Sequence, residues 1–107
     1  MFDWTKHEID NEFTRLNRLI FSSTLKSPIF LIQRSIKGFL GEFETPNIIR
    51  IKRRFNCRKN AIAVLAHELV HYQNWISFQN IAHGPKFFAY SEVLKKHDII
   101  IGRKQKE

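Results

Sequence analysis

The stretch RKNAIAVLAHELVHYQNWIS, residues 58–77, decides how this chain is read. It is expected to form one long helix with Asn56 as its N-cap. Inside it, His67-Glu68-Leu69-Val70-His71 is an H-E-x-x-H motif. At about 100° per residue, His71 lies about 40° round the helix from His67 and one turn along it. Both imidazoles then project from one face toward a common point, as a shared metal requires. Glu68 lies about 100° from His67, where it can reach a water on that metal without taking a ligand position. A metal lowers the pKa of such a water from about 15.7 to about 7, and Glu68 is expected to take the proton as general base. The helix has suitable sides. Ala61, Ile62, Leu65, Leu69, Tyr72 and Ile76 share a stripe expected to face the core, whereas His67, His71, Ala63 and Asn74 share the opposite, cleft-facing side.

Chance does not account for the motif. Five His and seven Glu in 107 residues give about 0.015 expected matches. A tetrahedral catalytic zinc takes three protein ligands and leaves the fourth position for water. Two residues compete for third ligand: His83, just before Gly84 and Pro85, and Glu92 on the helix that follows. The pattern H-E-x-x-H-x-x-G-x-x-H is absent, because Ser77 stands where its last His would be. His7 and His97 read as surface histidines.

Upstream, Thr5-Lys6-His7-Glu8 has the form of a capping box, with Trp4 and Ile9 as a hydrophobic staple. Ile9, Phe13, Leu16 and Ile20 then recur at spacings of four, three and four, one stripe of a helix that Ser22, Ser23 and Ser27-Pro28 end. Three β-rich runs follow: Ile29–Gln33; residues 36–43, weakened by Gly38 and Gly41, which mark a bulge; and Ile48–Lys52. Residues 44–47, with Pro46 and Asn47, form a turn between the last two. In the third run Ile49 and Ile51 alternate with Arg50 and Lys52, one face buried and one solvated. That strand is expected to border the cleft, where an extended substrate could add as a further strand. Downstream, Gly84-Pro85 opens a last helix carrying Phe87, Phe88 and Leu94, which ends near His97. Residues 99–101 read as a strand or apolar tether, and 102–107 as a charged tail.

The 107 residues suffice for a single domain, with a folded core over residues 3–101. Apolar residues at 43%, with ten Phe, exclude general disorder. No apolar run approaches the ~20 residues of a membrane helix. Early acids (Asp3, Glu8, Asp10, Glu12) argue against a secretory signal, and Cys57 as sole cysteine excludes a disulfide framework. A cytoplasmic, reducing location, with the nucleoid as one site within it, is the expectation. So is a monomer with no membrane contact.

Charge adds a second line. The net charge is +8, and residues 45–91 contain Glu68 as their sole acid against Arg50, Lys52, Arg53, Arg54, Arg58, Lys59 and Lys86. Residues 13–41 hold no acid, while carrying Arg15, Arg18, Lys26, Arg34 and Lys37. Such a field favours polyanions, DNA above all, and Arg50, Lys52, Arg53, Arg54, Arg58 and Lys59 form the expected phosphate-facing patch. Cys57 reads as a structural thiol. Trp75 stands near the cleft edge, and Tyr90 reads as core rather than as a group that polarises a carbonyl.

His67-Glu68-x-x-His71 followed by His83-Gly84-Pro85-Lys86-Phe87 resembles the SprT-like metalloproteases, the group that includes the Spartan proteases. The resemblance extends over residues 5–97. Val70 replaces a Cys common in the family motif, and the Cys-rich zinc ribbon of many relatives has no counterpart here. The resemblance implies His83 as third zinc ligand beside His67 and His71, one Zn²⁺ per chain, and a protease acting on DNA-associated proteins. It also implies a small zincin-like α+β domain of order α-β-β-β-α-α, its three-stranded sheet packed on the first helix and the zinc helix. Two rivals stand beside this expectation. One is a zinc-stabilised nucleic-acid-binding module without turnover, which would have no need of Glu68; the other is a general zinc peptidase with no DNA link.

Overall fold

The structure, a computed structural model, describes residues 1–34, 38–79 and 84–101. Along the chain run β1 (Phe2–Asp3), α1 (Lys6–Ile20), β2 (Ile29–Gln33), β3 (Gly41–Glu44), β4 (Ile48–Lys52), β5 (Arg54–Phe55), α2 (Arg58–Phe78) and α3 (Pro85–Lys95). Helix α1 starts as its sequence demands. Thr5 is extended, and its hydroxyl accepts from the Glu8 N–H at 3.1 Å. Ile9, Phe13 and Leu16 are buried on one face, with Trp4 beneath the helix start. Past its end, Ser22 and Ser23 take positive φ (55° and 58°), and buried Asn17 ties down the loop. Its amide donates to the Leu25 carbonyl at 2.9 Å and accepts from the Leu25 N–H at 3.1 Å.

Strands β2, β4 and β3 form one sheet in that order, β2 parallel and β3 antiparallel to β4. The alternation read in residues 48–52 holds: Ile49 and Ile51 are fully buried and their neighbours half-buried. Burying each isoleucine is worth about 1.5–3 kcal/mol. Phe30 on β2 meets Phe13 of α1 edge-on, with ring centroids 5.8 Å apart. Because β4 is the central strand, both of its edges are paired, so it cannot accept a further strand as expected; β3 is the edge strand beside α2. The second β-run also begins later than residue 36, at Gly41, after a turn in which Gly38 has φ +78°. Residues 35–37 lie outside the described residues.

A second sheet was not expected. β1 pairs antiparallel with β5, Phe2 opposite Phe55 and Asp3 opposite Arg54. The order among the described residues is therefore β-α-β-β-β-β-α-α rather than α-β-β-β-α-α. Two-residue strands carry no periodicity. They form because Trp4 donates its N–H to the Arg53 carbonyl at 2.8 Å while Asp3 grips the Arg54 guanidinium at 2.9 and 3.2 Å.

Helix α2 begins at Arg58 as expected, but Cys57, exposed and without a side-chain cap bond, is its N-cap instead of Asn56. Tertiary contact ties down this first turn, where Arg58 is held by Glu8 at 3.0 Å and Glu12 at 2.9 Å on α1. The middle of α2 is buried on every side, from Val64 through Tyr72, rather than along one stripe; Ile76, expected in the core, is 52% exposed. Helix α3 opens on Gly84 and Pro85 as expected and ends at Lys95. Beyond it Ile99 and Ile101 are buried around an exposed Ile100, an apolar tether and not a strand. The result is a small α+β domain with three helices and two small sheets among the described residues. No described helix is long and apolar enough to cross a membrane.

Candidate metal centre

His67 and His71 face the same way from successive turns of α2. Their Nε2 atoms are 3.1 Å apart and their ring centroids 4.8 Å apart. Two nitrogens at about 2.0–2.1 Å from one tetrahedral ion stand about 3.3 Å from each other. The observed separation therefore fits two ligands of one zinc. Both rings are buried, at 4% and 7% exposure. Phe87, the fully buried aromatic of α3, covers them with centroids 4.9 Å from His67 and 5.0 Å from His71. The side of α2 expected to open into a cleft is thus packed against α3 at this level.

Pro85 at the first helical position and the Gly84 carbonyl, which accepts from Phe87 and Phe88 N–H at 3.0 and 3.1 Å, set the start of α3 and so aim Phe87. His83 precedes that start and lies outside the described residues. Glu92, its competitor, is exposed on α3, and among the described residues no three His, Cys, Asp or Glu side chains are grouped to hold a metal. The pair His67 and His71 is brought together; Glu92 does not join it.

Glu68 turns toward β3. A Cβ on Gly41 would sit 2.9 Å from Val64 Cγ1, 3.3 Å from Glu68 Cγ and 3.4 Å from Glu68 Oε2. Glycine at 41 is therefore what lets the edge strand lie against this carboxyl, rather than the mark of a bulge. Burial, with the Glu42 charge adding to it, pushes the Glu68 carboxyl up to about 8. A divalent cation nearby would act in the opposite sense and favour the carboxylate.

Asn74 is the polar group of this face that the motif does not include. It is 1% exposed, and neither its amide nitrogen nor its carbonyl oxygen has a hydrogen-bond partner among the described residues. Positions 67, 71 and 74 fall within about 60° of one another round the helix. A buried amide left unsatisfied costs about 1–3 kcal/mol. Water or a ligand group on the histidine side of α2 would satisfy it. The two convergent imidazoles are donors that fit zinc, with a buried carboxyl on the adjoining helical position.

The remaining expected residues stand elsewhere. Trp75 is half-buried and lines a groove of about 410 Å³ with Lys26, Pro46 and Tyr72; neither histidine nor Glu68 lines it. Tyr90 packs on Phe21 with centroids 5.2 Å apart, and burial raises its phenol pKa.

The basic patch is largely answered from within. Arg50 bonds Glu44 at 2.8 Å and Glu42 at 3.3 Å, Arg54 pairs with Asp3, Arg58 with Glu8 and Glu12, and Lys59 lies 3.5 Å from Asp98. Those carboxylates hold Arg50, Arg54 and Arg58 more firmly protonated than usual. Lys52, Arg53 and Arg54 line a groove that also takes Arg34, a residue outside the expected patch. Its membership follows from strand register, which residue spacing along the chain does not encode. Set against models of known protein families and against curated proteins, the chain matches none.

Proposed function

We propose that this protein is a zinc-dependent endopeptidase of SprT-like type that acts on proteins associated with DNA. The observation that carries the proposal is the buried pair of imidazole nitrogens 3.1 Å apart, with the Glu68 carboxyl on the adjoining helical position. His67 and His71, with His83, would hold the ion. Bound there, zinc would polarise the scissile carbonyl and acidify a water. Glu68 accepts the proton of the attacking water and returns it to the leaving amine. Gly41 holds the edge strand β3 beside that carboxyl, so an extended peptide that pairs with the free edge of β3 runs past Glu68. Phe87 keeps bulk water from one side of the histidines. The DNA link is supported by the +8 charge and by the family resemblance.

The test separates metal from chemistry. Glu68→Gln is expected to keep one zinc per chain by elemental analysis and to lose hydrolysis of an unstructured protein by about 10²–10⁴-fold. His83→Ala is expected to lose zinc and Glu92→Ala to keep it. Zinc retained in His83→Ala and lost in Glu92→Ala would remove the SprT-like ligand set. Undiminished hydrolysis by Glu68→Gln would remove the mechanism, and no hydrolysis by the zinc-loaded wild type would leave the binding module without turnover.

A further inference from the structure

The ends of β2 and β4 deliver two arginines to one groove. The parallel register pairs Ile29 with Ile48 through to Gln33 with Lys52, and Arg34 and Arg53 are the residues that follow this last pair. Main-chain bonds hold this end of the pairing: the Arg53 N–H donates to the Gln33 carbonyl at 2.7 Å, and the Arg53 carbonyl accepts from the Trp4 N–H at 2.8 Å. Both side chains line the same groove, so two guanidinium charges share it. Like charges so gathered repel. Arg34 and Arg53 are both exposed, and neither has an ion-pair partner among the described residues.

Arg34, Lys52, Arg53 and Arg54 line one groove of about 340 Å³, together with Phe55 and Asn56. No carboxylate among the described residues lines it; Asp3, beside it, is engaged by Arg54. An anion lying between Arg34 and Arg53 would remove their repulsion. Several separate bases along an open groove match a row of singly charged phosphates better than one small anion, which a single guanidinium fork can satisfy. Phe55 is 2% exposed and has no face to offer a base, while the exposed Asn56 amide can reach a phosphate or sugar oxygen.

We infer that this groove seats the phosphate backbone of DNA, with Arg34 and Arg53 as its principal contacts and without reading base sequence. The inference deepens the DNA part of the proposed function and is independent of its peptidase part. Arg50 and Arg58, bound to their own carboxylates, stand outside the contact.

The experiment is a fluorescence-anisotropy titration of the full chain with labelled duplex and single-stranded oligonucleotides over a range of salt concentrations. The double variant Arg34→Ala/Arg53→Ala is expected to bind about tenfold or more weakly at low salt, with a salt slope flatter by up to about two units. Lys95→Ala/Lys96→Ala removes the same charge from α3 and is expected to change binding far less. Arg34→Lys/Arg53→Lys keeps the charge and is expected to restore most of the affinity. Circular dichroism melts check that each variant is folded. Equal losses in the arginine and lysine doubles, or unchanged binding in the arginine double, would overturn the groove. Strong competition by millimolar inorganic phosphate at constant ionic strength would also overturn it, in favour of a small-anion site. Hydrolysis of an unstructured peptide by the arginine double stays at the wild-type rate, so failure of the groove and failure of the peptidase reading give different results.

Discussion

The middle of α2 and the segment from β4 to the start of α2 handle polar groups in opposite ways. In α2, His67, Glu68, His71 and Asn74 are withdrawn from water, and the Asn74 amide has no protein partner among the described residues. Along residues 50–59 the bases stand in or near water, yet Arg50, Arg54, Arg58 and Lys59 each face a carboxylate. Buried polar groups without internal partners carry an energetic cost that a ligand can relieve. Exposed charges that are already paired have no such need, and attract an outside anion less. The difference separates a site from a surface more sharply than charge counts do. It also singles out Arg34 and Arg53, exposed arginines that line one groove and have no ion-pair partner among the described residues.

The comparison breaks first, and by the largest effect, at Glu68. In zinc-free protein its folded-state pKa stands at about 8, above the ordinary 4.5. Below 4.5 the folded and unfolded chains both hold this proton. Between 4.5 and 8 the folded chain keeps a proton the unfolded chain has lost, so stability falls as pH rises across that window. The full penalty, on the order of a few kcal/mol, is present above pH 8. Urea melts of zinc-stripped wild type and Glu68→Gln at pH 5 and pH 8 should show the variant gaining on the wild type as pH rises. Parallel stabilities at both values would mean the carboxyl is solvated when the site is empty of metal.

A smaller effect sharpens the geometry. Gly41→Ala puts a methyl group 2.9 Å from Val64 Cγ1, so something must shift. The expected loss is about 1–3 kcal/mol of stability, with hydrolysis reduced beyond that because Glu68 is displaced. Val64→Ala in the same chain removes the nearest atom and should recover part of the stability. No recovery in the double variant would place the strain elsewhere.

The smallest effect belongs to the surface. Arg54 and Asp3 form a well-aligned pair, yet their side chains are 55% and 40% exposed. Arg54→Ala should leave the melting temperature nearly unchanged at physiological salt. A clear drop would show that the pair, and not the main-chain bonds of Trp4 and Arg53, holds β1 on β5.

Local chemistry was legible wherever one element contained it. The Thr5 cap, the alternation of Ile49 and Ile51, the Gly84-Pro85 start of α3 and the convergence of His67 with His71 each follow from neighbours within a few positions. A helix repeats every 3.6 residues and a strand every two, so such relations are written into spacing. The motif made zinc an expectation for the same reason.

What spacing could not decide is whatever depends on which element lies beside which. Strand order placed β4 in the centre of the sheet and left β3 at the edge, moving the expected substrate-pairing edge from one to the other. The pairing of β2 with β4 brought Arg34 and Arg53 to one groove, although the two are far apart in the chain. Phe87 became the cover of both histidines because α3 folds back on α2, and Gly41 became the contact of Glu68 because β3 presses on it. The acids that neutralise Arg50, Arg54 and Arg58 lie on β3, β1 and α1 respectively, so a count of charges along residues 50–59 could not foresee them. Residue spacing was enough for the three helices, the strands of the larger sheet and the chemistry each can offer; packing added the β1–β5 pair and settled which groups meet, because contact energy acts across space between residues that no local period relates.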